Sequence, residues 1–291
     1  MREKYKYKIE LYENRAIVTK YEESKYRYSE NHGEQNIQRV RTEEELLRER
    51  ERATNHQMYA IKRKIKQYCL ANDFDMFWTL TFDDSKIDST DYQKARQRVQ
   101  KWLRNLRDRY GKFDYIFIPE YHNKRGRIHF HGVTKGCKAK IIEAKNNKTG
   151  KRIRQKGKVI FNCLDWKFGY STVSTIENSE KTASYITKYI TKELTKMPHG
   201  YRQSKYIVSR GLKKPDIIYF NDELDLLNFS PSLVIGEMEK NGTFKKKLSI
   251  YQLERTKEDD FVQDNSVETH IITKSEVKMK RRKKVKDDPE T

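Results

Sequence analysis

Two short stretches of this sequence carry residue types that do chemistry, at spacings that would bring them together. The first is His129-Phe130-His131. On a strand, alternation turns both imidazoles to one face and Phe130 to the other, which suits a shared divalent cation. A bare pair of histidines is also compatible with one packed ring and one solvated ring. The second is Tyr185-Ile186-Thr187-Lys188-Tyr189-Ile190-Thr191-Lys192. On a helix its two phenols lie one turn apart, and Lys188 and Lys192 each follow a tyrosine by three positions, near enough to hold a phosphate or ease phenolate charge. Its plain alternative is an amphipathic helix with a tyrosine stripe in a core.

The elements around these stretches decide between the readings. Residues 113–121 and 127–134 read as strands flanking Asn123-Lys124-Arg125-Gly126, a turn-forming cluster, so an antiparallel hairpin is expected. A register pairing Tyr121 with Ile128 sets Glu120 opposite His129 and Ile118 opposite His131. Glu120, His129 and His131 would then converge on one cation with positions left for water and a phosphate oxygen. Such a set suits Mg²⁺ or Mn²⁺, and its affinity order also admits Co²⁺, Ni²⁺ or Zn²⁺.

Upstream, residues 76–82 (MFWTLTF) read as a buried strand that stops at Asp83-Asp84-Ser85. Tyr92, Ala95, Val99, Trp102, Leu103, Leu106 and Tyr110 then recur at helical spacing, with Thr90 as the expected cap and Gly111 as the stop. Downstream come a basic loop over 136–158, strands over 159–163 and 170–177, and a helix capped at Asn178-Ser179 that runs to about Thr195. The N-terminus reads as a short hairpin, over 5–12 and 16–21, followed by a charged helix over 42–70. Strands of this kind with few helices predict an α+β fold. The expected divisions are an N-terminal extension over 1–71, a main domain over 72–220, and a polar C-terminal region with a disordered basic tail, Lys278 to Lys286, over 221–291.

Composition narrows the function. The 291 residues carry 63 Lys+Arg against 42 Asp+Glu, a net charge of +21 that favours a polyanionic partner. Aromatics reach 12%, with 19 tyrosines, as a protein that stacks unpaired bases requires. Cys69, Cys137 and Cys163 lack any CxxC spacing, which points to a reducing compartment. No apolar signal core opens the chain and no apolar run is long enough for a membrane span, so a soluble cytoplasmic protein is expected, in the host cytoplasm if phage-encoded. Gly150 and Gly157-Lys158 have the wrong spacing for a phosphate loop and lack the Ser or Thr after the lysine, so strand unwinding falls to a separate helicase.

Taken together, the motifs resemble those of the HUH endonucleases, specifically the two-tyrosine replication initiators of single-stranded DNA phages and rolling-circle plasmids. Phe77-Trp78-Thr79-Leu80-Thr81-Phe82 is similar to the family's first motif, Gly126-Arg127-Ile128-His129-Phe130-His131-Gly132 to its metal motif, and Tyr185 to Lys192 to its YxxxYxxK motif. Trp166 to Gly169 and Ser209-Arg210-Gly211-Leu212 also match its pattern. The resemblance covers residues 72–220. It implies a central antiparallel sheet of about five strands with a metal site on its face and the tyrosine helix packed across it. It further implies metal ligation by His129, His131 and Glu120, with His122 or Asp83 as alternative third ligands. The implied chemistry is attack by Tyr185 or Tyr189 on a scissile phosphate, assisted by Lys188 and Lys192, leaving a 5′-phosphotyrosine and a free 3′-hydroxyl. Implied partners are single-stranded or origin DNA and a separate host helicase and polymerase. A conjugative relaxase or transposase uses the same chemistry, and a catalytically silent single-strand binder is the non-enzymatic alternative.

Overall fold

The computed structural model describes residues 2–28, 42–121, 126–146, 148–155, 157–191, 194–195, 204–258, 260–263, 267–273 and 276. In chain order the first elements are β1 (Arg2–Leu11), β2 (Arg15–Tyr28), α1 (Glu43–Ala71), β3 (Met76–Leu80), α2 (Tyr92–Tyr110), β4 (Asp114–Tyr121), β5 (Ile128–Lys135) and β6 (Ile141–Glu143). There follow β7 (Arg154–Gln155), β8 (Lys158–Val159), β9 (Phe161–Cys163), β10 (Ser171–Thr175), α3 (Ser179–Ile186) and a 3-10 turn, Thr187–Tyr189. The last are β11 (Ile207–Val208), β12 (Asp216–Phe220), β13 (Leu233–Met238), β14 (Phe244–Arg255), β15 (Phe261–Val262) and β16 (His270–Thr273). The chain is α+β, as its pattern predicts. Among the described residues no helix is long and apolar enough to cross a membrane.

Residues 39–214 form one compact unit. Its sheet runs β11-β4-β5-β3-β10-β9-β6 and every pairing in it is antiparallel. The sheet has seven strands among the described residues rather than about five. The extra ones, β6, β9 and β11, span only two or three residues and leave too short an alternation to read.

One face of this sheet packs on α2 through three tryptophans. Trp102 lies 5.8 Å from Trp78 and 5.3 Å from Trp166, each edge-on, and Phe117 and Phe82 close the cluster. Such pairs each add ~0.5–1.5 kcal/mol beyond burial. All three indole N–H groups are satisfied, by Thr134 Oγ1, the Asp165 carbonyl and the Thr81 carbonyl. The cap of α2 differs from the sequence expectation. Asp91, not Thr90, accepts from the backbone of Gln93 and Lys94, because the Thr90 hydroxyl is already donated to Asp88 in the preceding turn.

The opposite face carries Phe77, Thr79 and His131 and is covered from the side of α3, which packs in turn on α1. Helix α1 begins with a capping box between Thr42 and Glu45 and buries Met58, Ile65, Tyr68, Cys69 and Leu70. Helix α3 ends at Ile186 instead of continuing to Thr195. The Thr187 hydroxyl donates to the Ser184 carbonyl, and β-branched residues at 186, 187, 190 and 191 weaken the helix there. Ile186, Ile190 and Leu194 still form one buried stripe.

The second unit takes residues 1–38 and 215–291 together, so its boundaries differ from those drawn at 71 and 220. Its sheet runs β12-β1-β2-β14-β13-β16, with β15 added on β14, and is antiparallel except where β13 meets β16. Tyr7, Val18, Leu226, Tyr251 and Leu253 form its core. The region after residue 220, read as polar, therefore supplies strands. In β14 (FKKKLSIYQLER) the three lysines hide the alternation that places Tyr251 and Leu253 inside. The basic run Lys278 to Lys286 lies outside the described residues.

Candidate functional site

The hairpin β4–β5 pairs in the expected register. Tyr121 faces Ile128, Glu120 faces His129 and Ile118 faces His131. Strand β3 lies on the other side of β5 and sets Thr79 against His131. These pairings define what surrounds His131, which is only 6% exposed. Its Nε2 lies 2.7 Å from Glu120 Oε2 and its Nδ1 lies 3.1 Å from Thr79 Oγ1. A carboxylate at Glu120 accepts from Nε2–H, and Nδ1 then accepts from the Thr79 hydroxyl. For Nε2 to offer its lone pair instead, the proton must sit on Nδ1 and be donated to the same Thr79 oxygen. The hydroxyl serves both tautomers because it donates and accepts.

The tyrosines meet this histidine from the α3 side. Tyr189, in the 3-10 turn, stacks on the His131 ring with centroids 3.5 Å apart and planes 7° from parallel. Tyr185 stands edge-on to Tyr189 at 5.6 Å and to Phe77 at 5.2 Å. Lys188 Nζ sits 5.0 Å over the Tyr185 ring. The break in α3 thus leaves both tyrosines together, one on the helix and one on the turn that follows it.

The structure brings together Glu120, His131, Tyr185, Tyr189 and Lys188. His129 lies opposite Glu120 and on the same strand face as His131, half-buried. Among the described residues no group of three or more His, Cys, Asp and Glu side chains stands close enough to hold a metal ion. The donor types nevertheless suit a hard divalent cation, and two of the three, Glu120 and His131, are already in contact. Asp83 is turned to its own loop, where hydrogen bonds from the Ser85 hydroxyl and backbone, with Lys86 beside it, hold its carboxyl below the usual range. Lys192 and His122 lie outside the described residues.

Sequence reasoning passed over Thr79 and Phe77 as site residues. Alternation in 76–82 places the two on one face, but only the neighbour order β5-β3-β10 shows that this face is the histidine face. The other family-like segments turn out to support the sheet. Trp166 and Phe168 tie to the backbone of Thr81 and Asp83, and a Cβ on Gly169 would lie 2.3 Å from the Thr81 carbonyl oxygen. Ser209 holds β11 to the start of β4 by donating to Asp114 and accepting from the Tyr115 backbone.

With this geometry in place, comparison with known proteins becomes informative. Residues 75–194 match the family model of the replication-associated protein ORF2. The replication-associated protein ORF4 of Chlamydia phage 1 is 32% identical over 120 residues, covering 39% of this chain and 29% of that protein. The chain thus spans less than a third of the length of that curated relative. No solved structure matches the chain. The segment similar to replication-associated proteins is the one that holds Glu120, His131 and both tyrosines.

Proposed function

We propose that this chain is a replication initiator of the kind phages encode, which nicks one DNA strand with a tyrosine and holds the cut end covalently. The observation that carries this reading is the stack of Tyr189 on a histidine bound to Glu120, inside a segment similar to replication-associated proteins. A tyrosine oxygen attacks the scissile phosphorus, the bond to the 3′-oxygen breaks, and that oxygen leaves as a 3′-hydroxyl after taking up a proton. The phosphotyrosine retains the ester bond energy, so the reverse attack by a 3′-hydroxyl reseals a strand without nucleotide hydrolysis. Two tyrosines allow the second to cut a regenerated origin while the first is still occupied.

Glu120 and His131, with His129 from the same face, would hold a divalent cation, Mg²⁺ or Mn²⁺. When bound, such an ion supplies Lewis-acid neutralisation of the phosphate charge. The chain's own part is to orient the His131 ring through Thr79, to shelter it under Tyr189, and to place Lys188 where a phosphate would lie. Unwinding and synthesis are left to a separate helicase and polymerase.

The test is incubation with a pool of single-stranded oligonucleotides and Mn²⁺, followed by a denaturing gel and peptide mapping. A DNA adduct on Tyr185 or Tyr189 is expected. Binding with no covalent product under any divalent metal would leave a silent binding protein in its place. His131→Ala is expected to abolish cleavage while most of the nonspecific affinity persists, because phosphate contacts dominate that affinity.

A further inference from the structure

We propose that the groove between α2 and β11 is a phosphate-binding track for DNA. This surface is separate from the histidine site, since α2 packs on the opposite face of the sheet. The inference rests on the reading of the chain as a DNA-handling protein.

The groove has a volume of about 680 Å³. Helix α2 lines it with Arg96, Gln100, Arg104 and Arg107, spaced as i, i+4, i+8 and i+11 and so on one helical face. Lys112 follows the helix, Tyr115 projects from β4, and Tyr206 with β11 forms the far wall. Asp108 is the lone carboxylate among the lining residues. The stripe from Arg96 to Arg107 extends roughly 16 Å along the helix axis at ~1.5 Å per residue. That length suits successive phosphates of a strand rather than one small anion.

A basic stripe on a helix is commonly just a solvated face, and Arg96 is what distinguishes this one. It is 4% exposed, yet no carboxylate pairs with it among the described residues. One terminal nitrogen donates to the Tyr92 hydroxyl at 3.1 Å and the other to the Tyr206 carbonyl at 3.4 Å. Its Nε is buried with no hydrogen-bond partner among the described residues. Burying a guanidinium on two neutral acceptors is costly, and a phosphate in the groove supplies the missing anion. Arg107 is positioned to take part, with its guanidinium 5.8 Å from the Tyr115 ring, so that cation and aromatic meet the same strand.

The test is fluorescence anisotropy of the full chain with a labelled single-stranded 30-mer, titrated in chelator at several salt concentrations. Because nothing is cut under these conditions, the result does not depend on nicking. The triple variant Arg104→Ala, Arg107→Ala, Lys112→Ala is expected to bind at least about tenfold more weakly at low salt. Its slope of log affinity against log salt should fall by about 2, at ~0.7 per lost phosphate contact on a single strand. An unchanged slope would overturn the proposal. Competition of the 30-mer by low millimolar inorganic phosphate, at constant ionic strength, would also overturn it by showing a single-anion site. Arg96→Met separates binding from folding: weaker DNA binding with an unchanged or raised Tm is expected. A lowered Tm with wild-type affinity would make Arg96 purely structural and sink the idea. If slopes fall as expected while no adduct ever forms, the track stands and the nicking reading fails.

Discussion

At the scale of single residues, the environment of His131 explains more than the histidine motif does. Its two ring nitrogens are both engaged, one by Glu120 and one by Thr79. Thr79 touches no reacting atom in the proposed chemistry, so it is a positioning residue. Thr79→Val keeps the shape and removes the hydroxyl, and it should lower the cleavage rate by about 10–100-fold, the range seen for partners of metal-binding histidines. DNA affinity should hold, and Thr79→Ser should restore most of the rate. A valine variant that cleaves normally would show that the tautomer is set elsewhere. For the tyrosine pair, Tyr185→Phe and Tyr189→Phe are each expected to retain single-round cleavage, since the rings adjoin at 5.6 Å, whereas the double variant should form no adduct. Adduct found only on Tyr189, with unimpaired multiple rounds in Tyr185→Phe, would reduce Tyr185 to packing. The pairing of Glu120 with His129 was legible because a tight turn fixes hairpin register. The contact of His131 with Thr79 was not, because it depends on which strand lies beside β5, and strand order leaves no local trace.

Elements show the same contrast. Helix α2 is readable in length and apolar stripe because seven periodic residues outweigh any single exception, although its cap is displaced by one residue through a competing turn. Asp91→Ala is accordingly expected to cost about 1 kcal/mol of stability and Thr90→Ala much less, in urea unfolding curves. Helix α3 reads as too long because its buried stripe at 186, 190 and 194 keeps helical spacing across a backbone that has left the helix. Periodicity reports burial, and burial survives a local break. Strand β5 holds a further lesson in Gly132, which closes the histidine motif. A Cβ there would stand 2.3 Å from the Phe117 ring, on the α2 side of the sheet, so this glycine serves packing rather than ligation. Gly132→Ala should destabilise by about 1–3 kcal/mol through overpacking, with loss of cleavage following loss of fold. Cleavage lost at unchanged urea midpoint would instead assign Gly132 a direct role.

For the whole molecule, titration links the core to stability. Burial pushes the Cys69 thiol up to about 12 and those of Cys137 and Cys163 up to about 11, from an ordinary 9.0. It likewise pushes the Tyr206 phenol up to about 12 from 10.0. The folded state therefore keeps protons that the unfolded chain releases, so this contribution is fully present below about pH 9 and is lost as pH rises toward 11–12. Thermal melts should show Tm falling through that window, and the thiols should resist alkylation at pH 8 until the protein unfolds. A Tm flat from pH 8 to 11 would contradict the burial of these groups. The second sheet has a consequence for how the chain is made. Its central pairing joins β2, complete by Tyr28, to β14, which begins at Phe244. On a ribosome adding about 5–20 residues per second, the first hairpin waits on the order of ten to forty seconds for its partner. During that interval residues 39–214 can complete their own core, while β1 and β2 offer open strand edges to any neighbouring nascent chain. Synthesis speed and chaperone supply should therefore govern the yield of the second unit far more than that of the unit carrying His131.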